Sequence, residues 1–171
     1  TAGKNGYFIM CIPIYAATLR ELIGLYREAW RAAGHPGNGK VMLSFAMHTA
    51  RTTDEAIRNF RDPLNSYLAA LVDGASGWLS GSSSPDYPNY EQMVAGLKSD
   101  NFDRQRESGI AWVGTPDEVT EMIADFGSQV GGVEIASLQV NPHLTALEDA
   151  EASMRLFTDE VMPSFTARSG A

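Results

Sequence analysis

Apolar residues along this chain alternate between unbroken runs and helical spacing. Residues 7–12, YFIMCI, form a continuous apolar stretch closed by Pro13, the pattern of a strand buried on both faces. Leu19, Leu22, Ile23, Tyr26 and Trp30 then recur at three- and four-residue steps. That spacing predicts a helix stopped by Gly34, with Pro36 behind it. The loop GHPGNGK leads into a second strand over residues 41–46. Thr52 with Glu55 offers a helix start, and Pro63 predicts a break, with a second helix restarting at Asp62-Pro63 and carrying Leu64, Tyr67, Leu68 and Leu71. Residues 74–90, GASGWLSGSSSPDYPNY, interrupt the rhythm and predict an inserted surface loop or lid, or else a linker. Residues 91–106 are expected to be helical and mostly solvated.

The stretch GIAWVGTPDEVTEMIADF, residues 109–126, predicts a short strand turning into a helix. Thr115 can cap that helix, Pro116 fits its first position and Glu118 can reach back to the Thr115 amide. Val119, Met122, Ile123 and Phe126 fall on one face. The helix end points at the Trp112-Val113-Gly114 strand, where it can hold an anion or be no more than a well-capped start. Gly131-Gly132 ends this helix, residues 133–140 form the last strand, and Thr145 with Glu148 repeats the capping pattern. Leu147, Ala150, Met154, Phe157 and Val161 line a final helix that Pro163 closes. Strands alternate with helices and most strand runs lack alternation, so the expected class is α/β with parallel strands. A small doubly wound sheet and part of a (β/α)8 barrel both fit; a whole barrel takes roughly 250 residues and eight strands.

Composition narrows the partners. The 171 residues carry 44% hydrophobic and 20% charged side chains, which suits one domain spanning residues 1–171. A net charge of −8 argues against a nucleic-acid face, which needs clustered Lys and Arg. No apolar run reaches the roughly 18 residues of a membrane span. The single cysteine, Cys11, lies in the first apolar run and is expected to be a buried, inert thiol in a reducing, cytoplasmic setting. Thr1 is not an initiator methionine, and sequence upstream of it is expected.

No nucleophile elbow, P-loop or dinucleotide fingerprint is present. His35, His48 and His143 share no metal-like spacing with each other or with Cys11, so no metal site is expected. The carboxylates Asp54, Glu55, Asp117, Glu118, Glu148 and Asp149 sit in first helical turns and are explained by helix dipoles. Ser44, His48, Gln139 and Asn141 are polar residues near strand ends, the functional face of a barrel. Trp112 and Gly114 precede the helix corner and join the list of candidates.

Several segments together resemble the carboxy-terminal half of a luciferase-like, flavin-dependent monooxygenase. They are AGKNGYFIM (2–10), LRELIGLYREAWRAAGHPG (19–37), TARTTDEA (49–56), GIAWVGTPDEVTEMI (109–123) and SMRLFTDEVMPSF (153–165). The Tyr26-Arg27 pair before Gly34-His35, the Gly114-Thr115-Pro116 corner and Phe157 with Val161-Met162-Pro163 are specific in this order. The resemblance implies a partial (β/α)8 barrel, roughly its strands six to eight, with the earlier strands and the family's phosphate-gripping loop lying before residue 1. It implies reduced FMN, or in some branches a deazaflavin, at the carboxy ends of the strands. A separate flavin reductase would supply the reduced flavin, and one oxygen atom of O2 would enter a small organic substrate. His48 stands where the family often has Tyr, and is the residue expected to take part in catalysis. Ser44, Trp112, Gly114, Gln139 and Asn141 are expected to face the flavin. With too few strands to close, the chain is expected to need an amino-terminal half or a second copy, and to be inactive alone. The alternatives are a flavin-binding subunit without turnover and a purely structural assembly subunit.

Overall fold

The computed structural model describes residues 1–13, 16–76 and 90–166. In chain order the elements are β1 (Ile9–Cys11), α1 (Ala16–Ala32), β2 (Val41–Thr49), α2 (Thr53–Ser76), α3 (Tyr90–Lys98) and α4 (Phe102–Glu107). They continue with β3 (Ala111–Gly114), α5 (Pro116–Val130), β4 (Ile135–Gln139) and α6 (Leu147–Leu156). A π-helical turn (Phe157–Val161) and α7 (Pro163–Thr166) complete the described chain.

All strand pairs are parallel, and all involve β2. Met42 and Leu43 each pair with both β1 and β4, so those strands lie on opposite edges of β2. Ala46 pairs with both β3 and β4, so β3 lies on the β1 side, further along β2. The connections explain the helix positions. Stepping from β1 to β2 and from β3 to β4 runs one way across the sheet, and stepping from β2 to β3 runs back. Right-handed crossovers then place α1 and α5 on one face and α2 on the other. Leu19, Ile23, Tyr26 and Trp30 of α1, with Val119, Phe126 and Val130 of α5, accordingly cover Val41, Leu43, Phe45 and Met47. Ala56, Phe60, Leu64 and Leu68 of α2 cover Ala46, Ala111 and Val113 on the other side.

Four expectations change. The first apolar run yields only a three-residue strand, and it is not buried on both faces: Met10 is 71% and Ile12 79% exposed. No described element covers that side of β1, the side a closed barrel turns inward. Pro63 does not break its helix, which runs unbroken from Thr53 to Ser76. A proline inside a helix costs about 3 kcal/mol, but burying each of Phe60, Leu64 and Leu68 returns about 1.5–3 kcal/mol. Ala56, Phe60, Leu64 and Leu68 recur every fourth residue, so only a continuous helix buries all of them. Thr145 does not cap α6; Ala146 holds that position, and the buried Thr145 Oγ1 has no partner among the described residues. Pro163 opens the short α7 after the π turn instead of ending the chain's last helix. Most of the inserted loop expected over 74–90 lies outside the described residues; residues 74–76 are the end of α2.

The Tyr26-Arg27 pair fastens the amino ends of β2 and β4. The Arg27 guanidinium donates to the carbonyls of Gly131 (2.6 Å) and Gly132 (3.2 Å) and to Glu134 Oε1 (2.7 Å). Glu134 Oε2 in turn accepts the Val41 amide at 2.9 Å, while the Lys40 amide donates to the Tyr26 hydroxyl at 3.2 Å. Gly131 and Gly132 have φ of 82° and 95°, the left-handed turn that lets both carbonyls reach one guanidinium. Replacing Arg27 with Ala is expected to cost about 1–3 kcal/mol, kept modest because the ion pair is partly solvated. Glu134→Gln, which keeps an acceptor for Val41, is expected to cost less. Urea-denaturation midpoints of the two variants check this ordering.

Candidate functional site

Residues paired across parallel strands share a face, so the register sorts the candidates. On the face opposite α1 and α5, the first row is Met10, Met42 and Ile135. The next is Ser44 beside Ser137, then Ala46 between Gln139 and Ala111, then His48 beside Val113. The face is therefore apolar where β2 begins, carries Ser44, Ser137 and Gln139 about its middle, and is apolar again around His48, at Ala46, Ala111 and Val113. Ser44, Ser137 and Gln139 are each half-buried, and the structure brings these three hydroxyl and amide groups together on adjacent strands. Ser137 was not among the sequence candidates. Its signal lay in the alternation of Ile135, Ser137 and Gln139 within VEIASLQV. Asn141 follows β4 and is exposed, as is His143.

His48 is enclosed. It is 1% exposed, and its ring lies flat against Phe60 of α2, with centroids 5.2 Å apart and planes 17° apart. Its Nδ1 has no hydrogen-bond partner among the described residues. Burial pushes its pKa below the usual imidazole range, against the pull of Asp149 and Glu55. The third histidine is structural in placement: His35 Nε2 lies 3.1 Å from the Lys4 carbonyl oxygen, and its ring tilts against Trp30.

Trp112 and Gly114 occupy other surroundings. Trp112 pairs with Met47 and lies on the face of α1 and α5, stacked on Phe45 with centroids 3.8 Å apart. It therefore does not share a face with Ser44 and Gln139. At Gly114 a Cβ would overlap the Glu118 carboxylate. That carboxylate swings beneath the strand end to accept the Thr115 amide (2.8 Å) and the Thr53 hydroxyl (2.9 Å), with Arg106 at 3.5 Å. Thr115 completes the capping box by accepting the Glu118 amide. Of the two uses open to this helix end, the structure shows the cap, with the chain's own Glu118 in the place an anion would take. Burial raises the Glu118 pKa, but the Thr115 amide, the Thr53 hydroxyl and Arg106 outweigh it and hold the group below its ordinary 4.5.

Among the described residues no three His, Cys, Asp or Glu side chains are placed to hold a metal ion. Cys11 is half-buried, and burial raises its thiol pKa. An open cleft of about 490 Å³ between α2 and α3, with Asn65, Asp73, Lys98 and Asp100 on its walls, includes none of the candidates. No helix among the described residues is long and apolar enough to cross a membrane.

Parallel strands alternating with helices make this an α/β chain, and its likeness to the luciferase-like structures below makes it a partial (β/α) barrel, with α2 lying here on the face opposite α1 and α5. The chain matches the luciferase-like monooxygenases over residues 1–133 and belongs to that family. No curated protein matches it. It is similar in structure to the oxygenating constituent of 3,6-diketocamphane monooxygenase from the CAM plasmid of Pseudomonas putida, which is in complex with FMN. That pair has 21% identity and a TM-score of 0.71, over 95% of this chain and 44% of the other. It is also similar to the monooxygenase RslO1 from Streptomyces bottropensis, at 24% identity and a TM-score of 0.68, over 96% of this chain and 44% of the other. A third likeness is to the coenzyme F420 dependent tetrahydromethanopterin reductase from Methanopyrus kandleri, at 16% identity and a TM-score of 0.60. It covers 96% of this chain and 47% of the other. The chain thus spans less than half the length of these proteins.

Gly114→Ala is expected to cost about 1–3 kcal/mol of stability by driving Glu118 out of its cap. Pairing it with Glu118→Ala should recover part of that loss, which a double-mutant cycle of thermal melts measures. The lowered Glu118 pKa also fixes a sign. Its contribution is present above the ordinary value of 4.5 and is lost as pH falls through the folded-state value. Glu118→Gln should therefore flatten the acid side of a stability-against-pH curve, and an unchanged acid side would contradict the cap's role.

Proposed function

We propose that this chain supplies the carboxy-terminal staves of a flavin-dependent luciferase-like monooxygenase. The observation that carries the reading is the register. In a chain of this family, Ser44, Ser137 and Gln139 stand side by side on the face a barrel turns inward. Their hydroxyl and amide groups can donate to and accept from the polar edge of a flavin ring, and their half-buried state leaves them reachable. Bound reduced flavin would supply the chemistry of O2 activation, and the protein side would contribute orientation and exclusion of water. FMN is the proposed cofactor, supported by the FMN complex among the similar structures; a deazaflavin is the second candidate, supported by the F420-dependent one. The proposed substrate is a small organic molecule that receives one oxygen atom, with reduced flavin delivered by a separate reductase.

On this chain alone that face is covered by α2 toward the finish of β2 and open toward its start. Met10 and Ile12 are largely exposed beside it, so a dry pocket needs further strands over them. We take those strands to come from an amino-terminal half of the barrel. Asn141, exposed past β4, is proposed to meet flavin or substrate only in that completed barrel. His48 lies beneath Phe60 and reaches the site only if α2 moves.

The test is titration with reduced FMN under anaerobic conditions. It is run on the chain alone and on the chain co-expressed with the amino-terminal half of a relative such as the diketocamphane enzyme. Weak binding alone and stoichiometric binding by the pair are expected, with the pair weakened about tenfold by Gln139→Ala through loss of one buried hydrogen bond. Tight binding by the isolated chain would overturn the need for further strands. No binding by the folded pair would overturn the flavin reading, and a yellow dimer of this chain without turnover would favour a non-catalytic flavin-binding subunit.

A further inference from the structure

The most enclosed histidine of the molecule sits where a helix closes over the strand ends. Helix α2 lies on β2 and β3 through Ala56, Phe60, Leu64 and Leu68, against Ala46, Ala111 and Val113, with Phe102 of α4 in the same layer. Every one of those side chains is apolar. His48, the next-to-last residue of β2, is the polar group set against this layer, and it meets α2 through the flat face of Phe60. We propose that His48 is a proton-operated latch: while its imidazole is neutral α2 stays closed on the strand ends, and when it is charged α2 lifts away.

The geometry gives the reason. A neutral imidazole can stack on a phenyl ring and leave one nitrogen without a donor, at small cost. An imidazolium carries N–H donors on both nitrogens and needs acceptors for both. Nδ1 has none among the described residues and is out of contact with solvent. A charged, unpaired donor inside an apolar layer is disfavoured unless the layer opens to water. The charged groups acting on the ring are Glu55 of α2 and Asp149 of α6; β3 presents only Val113 beside it. Both carboxylates favour the charged ring, yet burial is the larger influence and keeps the pKa below the ordinary 6.5.

The sign follows from that direction. The folded state binds the proton less readily than the open state. Closure is therefore fully stable above the ordinary imidazole value of 6.5, and loses stability as pH falls from there toward the folded-state value. The opposite face of the sheet has no such group. Its buried layer of Val41, Leu43, Phe45 and Met47 under α1 and α5 contains no histidine, and His35 meets Trp30 only near the carboxy end of α1, so α1 and α5 should not follow α2. Opening would also uncover His48 next to the Ser44 and Gln139 face. The latch itself rests on packing alone and does not depend on the flavin reading.

The experiment is amide hydrogen exchange on the full chain at about pH 7.5 and about pH 5.5, corrected for intrinsic exchange rates, with carbon NMR of the His48 ring alongside. Protection across residues 56–68 should fall several-fold at the lower pH, up to the limit of about tenfold that one imidazole with an ordinary open-state value allows, while α1 and α5 keep theirs. The His48 ring should titrate below the value of an exposed histidine. His48→Gln should remove the pH dependence of α2. Should that variant not fold, Phe60→Leu decides the matter. It keeps the apolar filling but loses the flat lid, and should raise the His48 titration midpoint toward the exposed value. Equal loss of protection in α1 and α5, persistence of the α2 effect in His48→Gln, or an ordinary His48 midpoint in the wild-type chain would each overturn the latch.

Discussion

The structure hangs on the register of one strand. β2 is nine residues long and pairs along both edges, with β4 on one side and β1 and then β3 on the other. Its alternate residues decide what each face of the sheet is. Val41, Leu43, Phe45 and Met47 belong to the helix-covered core, and Met42, Ser44, Ala46 and His48 to the other face. A slip of one residue would exchange the two sets. The slip is opposed at both ends, by side chains outside the ladder and, at the finish, by the ladder's own last bond. At the start, Glu134 holds the Val41 amide and Tyr26 the Lys40 amide. At the finish, Ser153 Oγ holds the Thr49 amide at 2.8 Å and the Gly114 carbonyl the Ala50 amide at 3.1 Å. The motifs that carry the family resemblance are therefore parts of one register device. Tyr26-Arg27 serves the amino end and Gly114-Thr115 the carboxy end.

Much of this architecture was legible because it depends on local rules. The Thr115 capping box, the Gly131-Gly132 stop and the helical face of α1 each follow from a few neighbouring residues, and each is present, except that Leu22 falls off the α1 face and is exposed. The misjudged places are those where distant packing outweighs a local rule. Pro63 breaks a helix in isolation, but not one whose every fourth residue is drawn into the same layer. The run at residues 7–12 is apolar enough for burial on both faces, yet the chain covers only one. Thr145 and Glu148 spell a cap, but the chain enters α6 one residue later than that spelling requires.

The candidate site was legible in part for the same reason. Strand alternation alone places Ser44, Ala46 and His48 on one face, once the strand is known to extend to Thr49. Which face Trp112 joins depends on its pairing with Met47, and that is a long-range fact. Ser137 needed the converse: it became a candidate only when β4 was seen to bring it beside Ser44. Gly114 shows that a motif can serve the chain itself: its lack of a side chain makes room for the Glu118 carboxylate.

The two halves of the polar face obey opposite constraints, and this bears on how such a sheet could work. Toward the start of β2, the row of Met10, Met42 and Ile135 has no covering element in the described chain, and Met10 and Ile135 are exposed. Toward the finish, Ala46 and His48 are covered by the chain's own α2. Between them lie Ser44, Ser137 and Gln139, half-buried, at the boundary between the surface the chain closes for itself and the surface it leaves open. Polar groups at such a boundary keep water when the sheet stands alone and lose it when the open side is covered. Their hydrogen bonds must then pass to whatever fills the space. A ligand with a polar edge and an apolar body satisfies both rows at once. A purely apolar partner would leave two hydroxyls and an amide without partners, so whatever completes this face has to bring polar groups to it.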